Sequence, residues 1–395
     1  MNVTKELIKD FNEIKINDKY IILQKLDFID YTDTNYIDEL NKSNKLKEER
    51  KSIANYNNKN NINRIINLFP YNLKDYINER KLINFKISNA FNKLYEILTL
   101  FSSDFFKSNE INTYHMAEAP GQWIKTFEYF TGDIVKYNWY SNSLNPNNEI
   151  IKKKYNTVFN DLYGVMSGKN KNKWLYGLDD TGDITVASNI LHIKENIKFD
   201  KIDIITSDAG IDVKNNTSYM LQKLDYAQLV NVIILSNKGT NIIMKTFLPF
   251  VSDYINSNYV LLFISILQIY HYIFEKIYLI KPITSNYTSG EFYIIGINYK
   301  NNINNDIKKK MLIFLDNFNV GIDLVKYFNI PIKNSINNSS YSFFNELLKF
   351  NNKFIFYENI LFKKNLKDLK HVSYELKSFK EKKIIDYINV FFNSK

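Results

Sequence analysis

Ile202-Asp-Ile-Ile-Thr-Ser-Asp-Ala-Gly210, a helical stretch over Ser218–Asn237, and then Asn241-Ile-Ile-Met-Lys245 decide the fold. Two short, almost wholly apolar runs flank a segment of helical length. A strand buried on both faces reads in this way, and a helix between two such strands lets them run parallel. The same alternation extends outward. Candidate strands are Asn112–Ala117, Val135–Tyr140, Ile202–Ser207, Asn241–Thr246, Lys276–Lys281 and Phe292–Asn298. Helical segments fall at Ile87–Phe101, Ile124–Phe130, Ser218–Asn237 and Phe250–Phe274. The pattern predicts an α/β sheet, mostly parallel, with helices on both faces. The last two strands are joined by a loop too short for a crossover helix, so they should pair antiparallel at one edge.

Outside this region the chain returns to helical periodicity. We expect three parts: a helical extension over 1–80, the sheet domain over 81–300, and a second helical extension over 301–395. In the first, Asn41-Lys-Ser-Asn-Lys-Leu-Lys-Glu-Glu-Arg50 reads as a solvated helix or loop. In the last, Asn365–Phe392 sets Lys367, Lys370, Lys377, Lys380, Lys382 and Lys383 beside an apolar stripe. That lysine face is either solvated or in contact with RNA or a partner.

Composition narrows the function. The net charge is +10, which favours polyanionic partners, although the abundance of Asn, Ile, Lys and Tyr together also fits an AT-rich coding bias. With no cysteine, disulfides and Cys-ligated zinc are excluded. The four histidines show no metal-ligand spacing, so no metal site is expected. The longest apolar run, Tyr259–Tyr270, is shorter than the roughly 20 residues of a spanning helix. The N-terminus lacks the apolar region of a signal peptide. A soluble, intracellular protein with no membrane contact is expected.

Chemistry-bearing residues sit where strands end. Asp208 follows the strand Ile202–Ile205, at the carboxyl edge where open α/β sheets bind ligands. Lys245 ends another buried strand, a costly place for a lysine without a partner. Asp208 would be that partner. Glu118-Ala-Pro-Gly-Gln-Trp123 lies between a strand and a helix. Its Gly121 would let backbone approach a ligand closely, and Glu118 could hold an ammonium group. Thr181-Gly-Asp-Ile-Thr185 is a second loop, in which Asp183, beside Ile184, could accept a hydrogen bond from an adenine amino group. Each loop alone also reads as an ordinary turn. Lys93, on a helix, and Glu291, opening the last strand, read alone as surface residues.

Taken in order, these segments resemble the FtsJ/RrmJ-like S-adenosylmethionine-dependent ribose 2′-O-methyltransferases over about residues 85–300. The resemblance identifies Lys93, Asp208, Lys245 and Glu291 with the family's Lys-Asp-Lys-Glu tetrad on a Rossmann-like sheet. It makes Glu118, Ala119, Pro120, Gly121, Gln122 and Trp123 the methyl-donor loop, with Asp208 beside the donor. Gly182-Asp-Ile-Thr185 is similar to the adenine-side loop of cap 2′-O-methyltransferases, so Asp183 and Ile184 join the donor site. Two departures stand out. Gln122 replaces a second glycine, and Ser141 and Asn142 stand where an acid for the donor ribose is usual. The extensions and composition suggest a large DNA virus member, akin to poxvirus or asfarvirus cap enzymes. Host cytoplasm or virion would then be its location, with other capping or polyadenylation proteins as partners.

The resemblance implies methyl transfer from S-adenosylmethionine to the 5′-terminal nucleotides of capped mRNA. Lys245 would be the base, Asp208 would orient it, and Lys93 and Glu291 would position the substrate. Burial and neighbouring positive charge would lower the Lys245 pKa, and Asp208 would oppose this. Two other readings stay open: a 2′-O-methyltransferase of ribosomal or transfer RNA, and a non-catalytic RNA-binding scaffold on the same fold.

Overall fold

The computed structural model of the chain describes residues 2–14, 24–25, 34–53, 58–155, 161–210, 217–248, 257–332 and 341–392. Its centre is one mixed sheet. The strands are β1 (Gln24–Lys25), β2 (Glu110–Met116), β3 (Lys136–Ser141), β4 (Ile204–Ser207), β5 (Asn241–Phe247), β6 (Phe274–Ile280) and β7 (Glu291–Tyr299). Their order is β1-β6-β7-β5-β4-β2-β3. β3, β2, β4 and β5 run parallel, while β7 is antiparallel to both β5 and β6. The expected antiparallel pair is there, but β7 lies inside the sheet and the two-residue β1 caps β6.

Side-chain alternation assigns the two faces. Ile205, Ile242, Met244, Phe292 and Ile294 point into a core shared with helices Thr217–Leu235, Ser257–Ile273 and Asn305–Asp316. Ile204, Ile243, Tyr293, Ile295 and Ile297 point the other way, under helices Asn89–Leu100 and Gln122–Thr131. Lys245 and Glu291 share the parity of Ile243 and Tyr293. Both therefore face the helix that carries Lys93. No described helix is long and apolar enough to cross a membrane. The segment 250–256 of the expected long helix lies outside the described residues; the helix begins at Ser257.

The two extensions form one helical layer. Phe11, from helix Val3–Glu13, stacks on Phe354 and Phe379 at 6.1 and 6.4 Å between ring centroids. Their common core also takes in Phe91, Tyr95, Ile283 and Tyr287 from the sheet domain. This cover explains why Lys93 is not on the surface: residues 91–98 are all buried, so the helix is enclosed on every side.

The stretch Asn41–Arg50 departs from the solvated reading. It lies in helix Thr34–Ile53, one side of which packs on helix Tyr341–Phe362. Ser43 and Lys47 are buried, and Arg50 pairs with the buried Glu358 at 3.2 Å. Asn359 Nδ2 donates to Leu46 O at 2.8 Å. This Arg50 is engaged by the fold.

His115, on β2, is buried with hydroxyl groups at both ring nitrogens. Nε2 lies 2.7 Å from the Thr113 and Tyr137 hydroxyls, and Nδ1 lies 2.7 Å from that of Thr206. Burial lowers its pKa to about 3. Between that value and the ordinary 6.5 the unfolded chain binds the extra proton, so this group's contribution falls as pH drops through the window. Buried Glu96 and Glu118, whose pKa values burial raises, act in the opposite sense. Comparison of wild type with His115→Gln isolates the histidine. Its share should change by up to about 1.4 kcal/mol per pH unit between pH 6.5 and 4.5. Urea titrations at several pH values check this; parallel profiles for the two proteins would refute it.

Candidate active site

Three strand ends and one helix bring Lys93, Asp208, Lys245 and Glu291 together. Lys93 Nζ lies 3.0 and 3.1 Å from the two Glu291 carboxylate oxygens. It lies 4.0 Å from Asp208 Oδ1. Lys245 Nζ donates to the main-chain oxygen of Asp208 at 2.6 Å and lies 3.1 Å from its Oδ1. Asp208 Oδ1 thus joins the two lysines, and the Tyr293 hydroxyl donates to the same oxygen at 3.1 Å. Two cations and two anions form one nearly buried cluster, which offsets the cost of burying each charge alone.

Within the cluster, Lys93 and Glu291 hold each other charged. Burial works against the Lys93 ammonium, but Asp208 and Glu291 outweigh it and raise its pKa. Burial also opposes ionisation of Glu291. Lys93, Lys245 and Lys281, with a 2.6 Å hydrogen bond from the Ser285 hydroxyl, outweigh it and bring its pKa to about 2.

Two further ionisable groups, not singled out in the sequence, hold the loop that delivers Glu291. Lys281, buried at the end of β6, donates to the main-chain oxygens of Asn286, Ser289 and Glu291 at 2.9, 2.7 and 2.8 Å. Burial takes its pKa down to about 7. Glu96, one turn after Lys93, accepts from Ile283 N at 2.9 Å, Thr284 N at 3.2 Å and the Thr284 hydroxyl at 2.8 Å. Burial raises it to about 7. The signal for Lys281 was in the chain: it ends an apolar strand just as Lys245 does.

A cavity of about 280 Å³ opens beside Asp208 and Lys245 at the carboxyl ends of the parallel strands. Its walls are the Asn142–Leu144 segment, the Gly182–Thr185 loop, Ala209 and Gly210, with Met220 and Leu224 from a helix. Of the residues expected at a donor site, Ala119, Asp183, Ile184 and Asp208 line it. Asp183 Oδ1 is held by the Thr185 amide and hydroxyl at 2.9 and 2.8 Å.

The rest of the Glu118–Trp123 loop shapes the site from behind. Glu118 is buried, and its Oε1 accepts from the amides of Trp123 and Ile124 at 2.6 and 3.1 Å, at the start of a helix. Pro120 follows a cis peptide bond. Gly121 has φ +104°, and a Cβ there would come 2.1 Å from Val165 Cγ2. The close approach that demands glycine is therefore to the 161–167 segment of the chain itself. Gln122 accepts from Ser88 N at 2.6 Å and the Tyr163 hydroxyl at 2.8 Å, so it ties down the start of the Lys93 helix. Trp123 is buried beneath that helix, its indole N–H donating to Ala90 O at 3.2 Å.

Asn142, in the cavity wall, is buried and its Nδ2 donates to Leu175 O at 2.8 Å, while its Oδ1 is without a hydrogen-bond partner among the described residues.

Comparison with known proteins agrees with this geometry. Residues 87–299, more than half of the chain, match the model of the FtsJ-like methyltransferases. Protein L511 of Acanthamoeba polyphaga mimivirus is 33% identical over 221 residues, covering 54% of this chain and 26% of that protein. "Probable methyltransferase EP424R" of African swine fever virus is 28% identical over 228 residues, covering 54% and 49%. The mouse cap-specific mRNA (nucleoside-2′-O-)-methyltransferase 2 is 25% identical over 232 residues, covering 56% and 29%. The matched region is thus between a quarter and a half of these relatives. With the family model matching over the span that builds the sheet and the charged cluster, the chain belongs to the FtsJ-like methyltransferase family.

Proposed function

We propose that the protein methylates a ribose 2′-hydroxyl of RNA, at the first nucleotides of capped mRNA, with S-adenosylmethionine as donor. The observation that carries this reading is the meeting of Lys93, Asp208, Lys245 and Glu291 beside the 280 Å³ cavity. Likeness to a mouse protein named for cap-specific methylation supports the substrate class.

The cavity suits the donor. Asp183 can take an adenine amino group, and the apolar Met220 and Leu224 the faces of a ring. Bound there, S-adenosylmethionine supplies an electrophilic methyl whose sulfur departs as a neutral thioether.

The chain supplies alignment and a base. A lysine nitrogen has three positions beyond its carbon. On Lys245 two of them point to Asp208 O and Oδ1. The third is left for the attacking hydroxyl. Once Lys245 has released one of its protons to solvent, its amine keeps both hydrogen bonds and presents a lone pair at that position, where it takes the hydroxyl proton. Asp208 sets its direction. Lys93, locked to Glu291, places a fixed positive charge near the attacking oxygen. Holding two reactants in line is worth about 7–11 kcal/mol of a barrier.

Gly182 is essential to the donor cradle. It has φ +72°, and a Cβ would sit 1.8 Å from Ser143 O, on the opposite wall. Gly182→Ala should part the two loops and weaken S-adenosylmethionine binding by about tenfold or more, roughly 1.4 kcal/mol. Calorimetric titration reads this; unchanged affinity would remove the loop from the donor site.

The reading itself is tested with labelled S-adenosylmethionine and paired capped and uncapped RNAs. Label on the 2′-oxygen of the capped RNA alone is expected. Equal label on both keeps the chemistry and moves the substrate away from the cap. No label, with RNA and donor both bound, overturns the reading.

A further inference from the structure

A second cleft lies between the terminal extensions. Helices Lys59–Ile66 and Asn72–Glu79 form one wall and helix Leu366–Phe391 the other, around a volume of about 480 Å³. Five cations line it: Arg64, Arg80, Lys370, Lys377 and Lys380. Three acids, Asp75, Glu79 and Glu381, leave a positive balance.

Two of the cations belong to the fold. Arg64 Nη2 pairs with Asp75 at 2.9 Å. Lys380 is buried, against the expectation of a solvated lysine face, and donates to the main-chain oxygens of Arg64, Ile65 and Asn67 at the end of helix Lys59–Ile66. All three of its N–H groups are used. Arg80, Lys370 and Lys377 are exposed and make no ion pair with the described residues.

The arrangement of these three selects a ligand class. Lys370, Tyr374 and Lys377 recur at helical spacing, so they share one stripe facing the cleft. Tyr374 is 79% exposed, with lysines one turn to either side. Across the cleft the Arg80 guanidinium lies 3.7 Å from the centre of the Tyr76 ring. Exposed cations beside one exposed aromatic ring suit a single nucleic-acid strand: phosphates meet the cations and a base stacks on Tyr374. The buried Ile65, Leu369, Leu376 and Ile384 form an apolar floor, but the unpaired cations stand exposed above it and set the charge of the ligand.

The cleft is joined to the active site. Asn67, whose main-chain oxygen caps Lys380 and Asn72, accepts from Tyr287 N through Oδ1 at 2.8 Å. Tyr287 lies in the loop leading to Glu291. Helix Asn72–Glu79 starts beside Tyr71, whose hydroxyl receives Asn286 Nδ2 at 3.5 Å, and ends at Arg80. Nine residues of helical rise place Arg80 roughly 13 Å farther on.

We infer that this cleft holds the RNA strand leading away from the methylated nucleotide, an inference that rests on the RNA-methylating reading of the site. The extensions then serve as a substrate clamp, reading length and charge and leaving base identity unread.

The test uses the full chain with Arg80→Glu/Lys377→Glu, and separately Tyr374→Ala. All three positions are exposed or half-free and outside the catalytic cluster. Fluorescence anisotropy compares a long single-stranded capped RNA with a minimal capped oligonucleotide having the same 5′ end. The charge reversal should weaken the long RNA by about tenfold or more and flatten its salt slope by about 1.4, at ~0.7 for each lost phosphate contact. The minimal oligonucleotide should bind as it does to wild type. In methyl-transfer assays KM should rise for the long RNA only, with kcat unchanged. Tyr374→Ala should weaken the long RNA at least about fivefold without altering the salt slope. Equal affinity and salt slope in wild type and double variant would overturn the clamp, even if methylation proceeds. If wild type binds RNA without methylating it, anisotropy still decides the clamp, while the catalytic reading falls. A wild type that binds no RNA overturns both.

Discussion

Lys245→Ala should lower kcat for RNA methylation by about 10²–10⁴-fold, the usual share of a positioned general base. The Asp208 carboxylate would keep its bond from the Tyr293 hydroxyl and its approach to Lys93, so the site should stay assembled. Donor binding should move little, while the unfolding midpoint should fall, because Asp208 loses a cation and its main-chain oxygen loses a donor. Lys245→Arg sharpens the test. Arginine keeps a positive charge but does not surrender its proton, so it cannot act as the base. A Cβ at residue 210 would lie only 3.2 Å from Lys245 Nζ, so Gly210 leaves little spare room around this nitrogen. If the lysine acted only through its charge, the arginine variant would recover much of the rate. Comparable loss in both variants supports proton transfer; substantial activity in either removes that role from Lys245. Single-turnover rates with donor and RNA saturating make the measurement independent of binding.

Lys281→Met should be nearly as damaging by another route. Three main-chain oxygens would lose their donor in a buried place, each orphaned acceptor costing about 1–3 kcal/mol. A stability loss of about 3 kcal/mol or more is expected, with kcat falling further than 1/KM because Glu291 is no longer held against Lys93. A purely structural residue would leave the pH profile in place. Lys281 would not, because its charge helps hold the Glu291 pKa near 2. Without that cation the pKa of Glu291 rises, so its carboxyl should take up a proton at higher pH than in wild type. Unfolding titrations and the Glu291 carboxyl carbon signal in NMR titrations check the two halves. An unmoved Glu291 titration in a folded, impaired variant would refute the electrostatic part.

The sheet was legible in the sequence because its central strands are buried on both faces. Ile204, Ile205, Ile242 and Ile243 are all fully buried, alternately toward the helices on either face. The chemistry was legible for a related reason: a charge at the end of such a run must be engaged, as Asp208 and Lys245 are. Lys281 obeys the same logic. What escaped depends on distant partners. Gly121 lies against Val165, 44 positions on, a contact that no local pattern announces. The hydrogen bonds from the Trp123 and Ile124 amides to Glu118 Oε1 are likewise unannounced. The polar Asn41–Arg50 stretch looks solvated because its partner helix begins some 290 residues later. β1 has only two residues, too few for any pattern. Lys93 and Glu291, unremarkable alone, gained meaning from their order in the resemblance.

The shared core of the extensions carries a consequence for biosynthesis. Tyr287, in the loop that delivers Glu291, packs against Phe350 and Phe354 at 5.2 and 4.8 Å between ring centroids, and Asn67 holds its amide. A ribosome that has finished β7 has made every member of the charged cluster, yet the wall supporting that loop is still unsynthesised. The nascent protein would therefore carry its chemistry in an unfinished form until helices Tyr341–Phe362 and Leu366–Phe391 emerge and close over the loop. Catalytic competence would arrive late in translation, well after the region that defines the family has been completed.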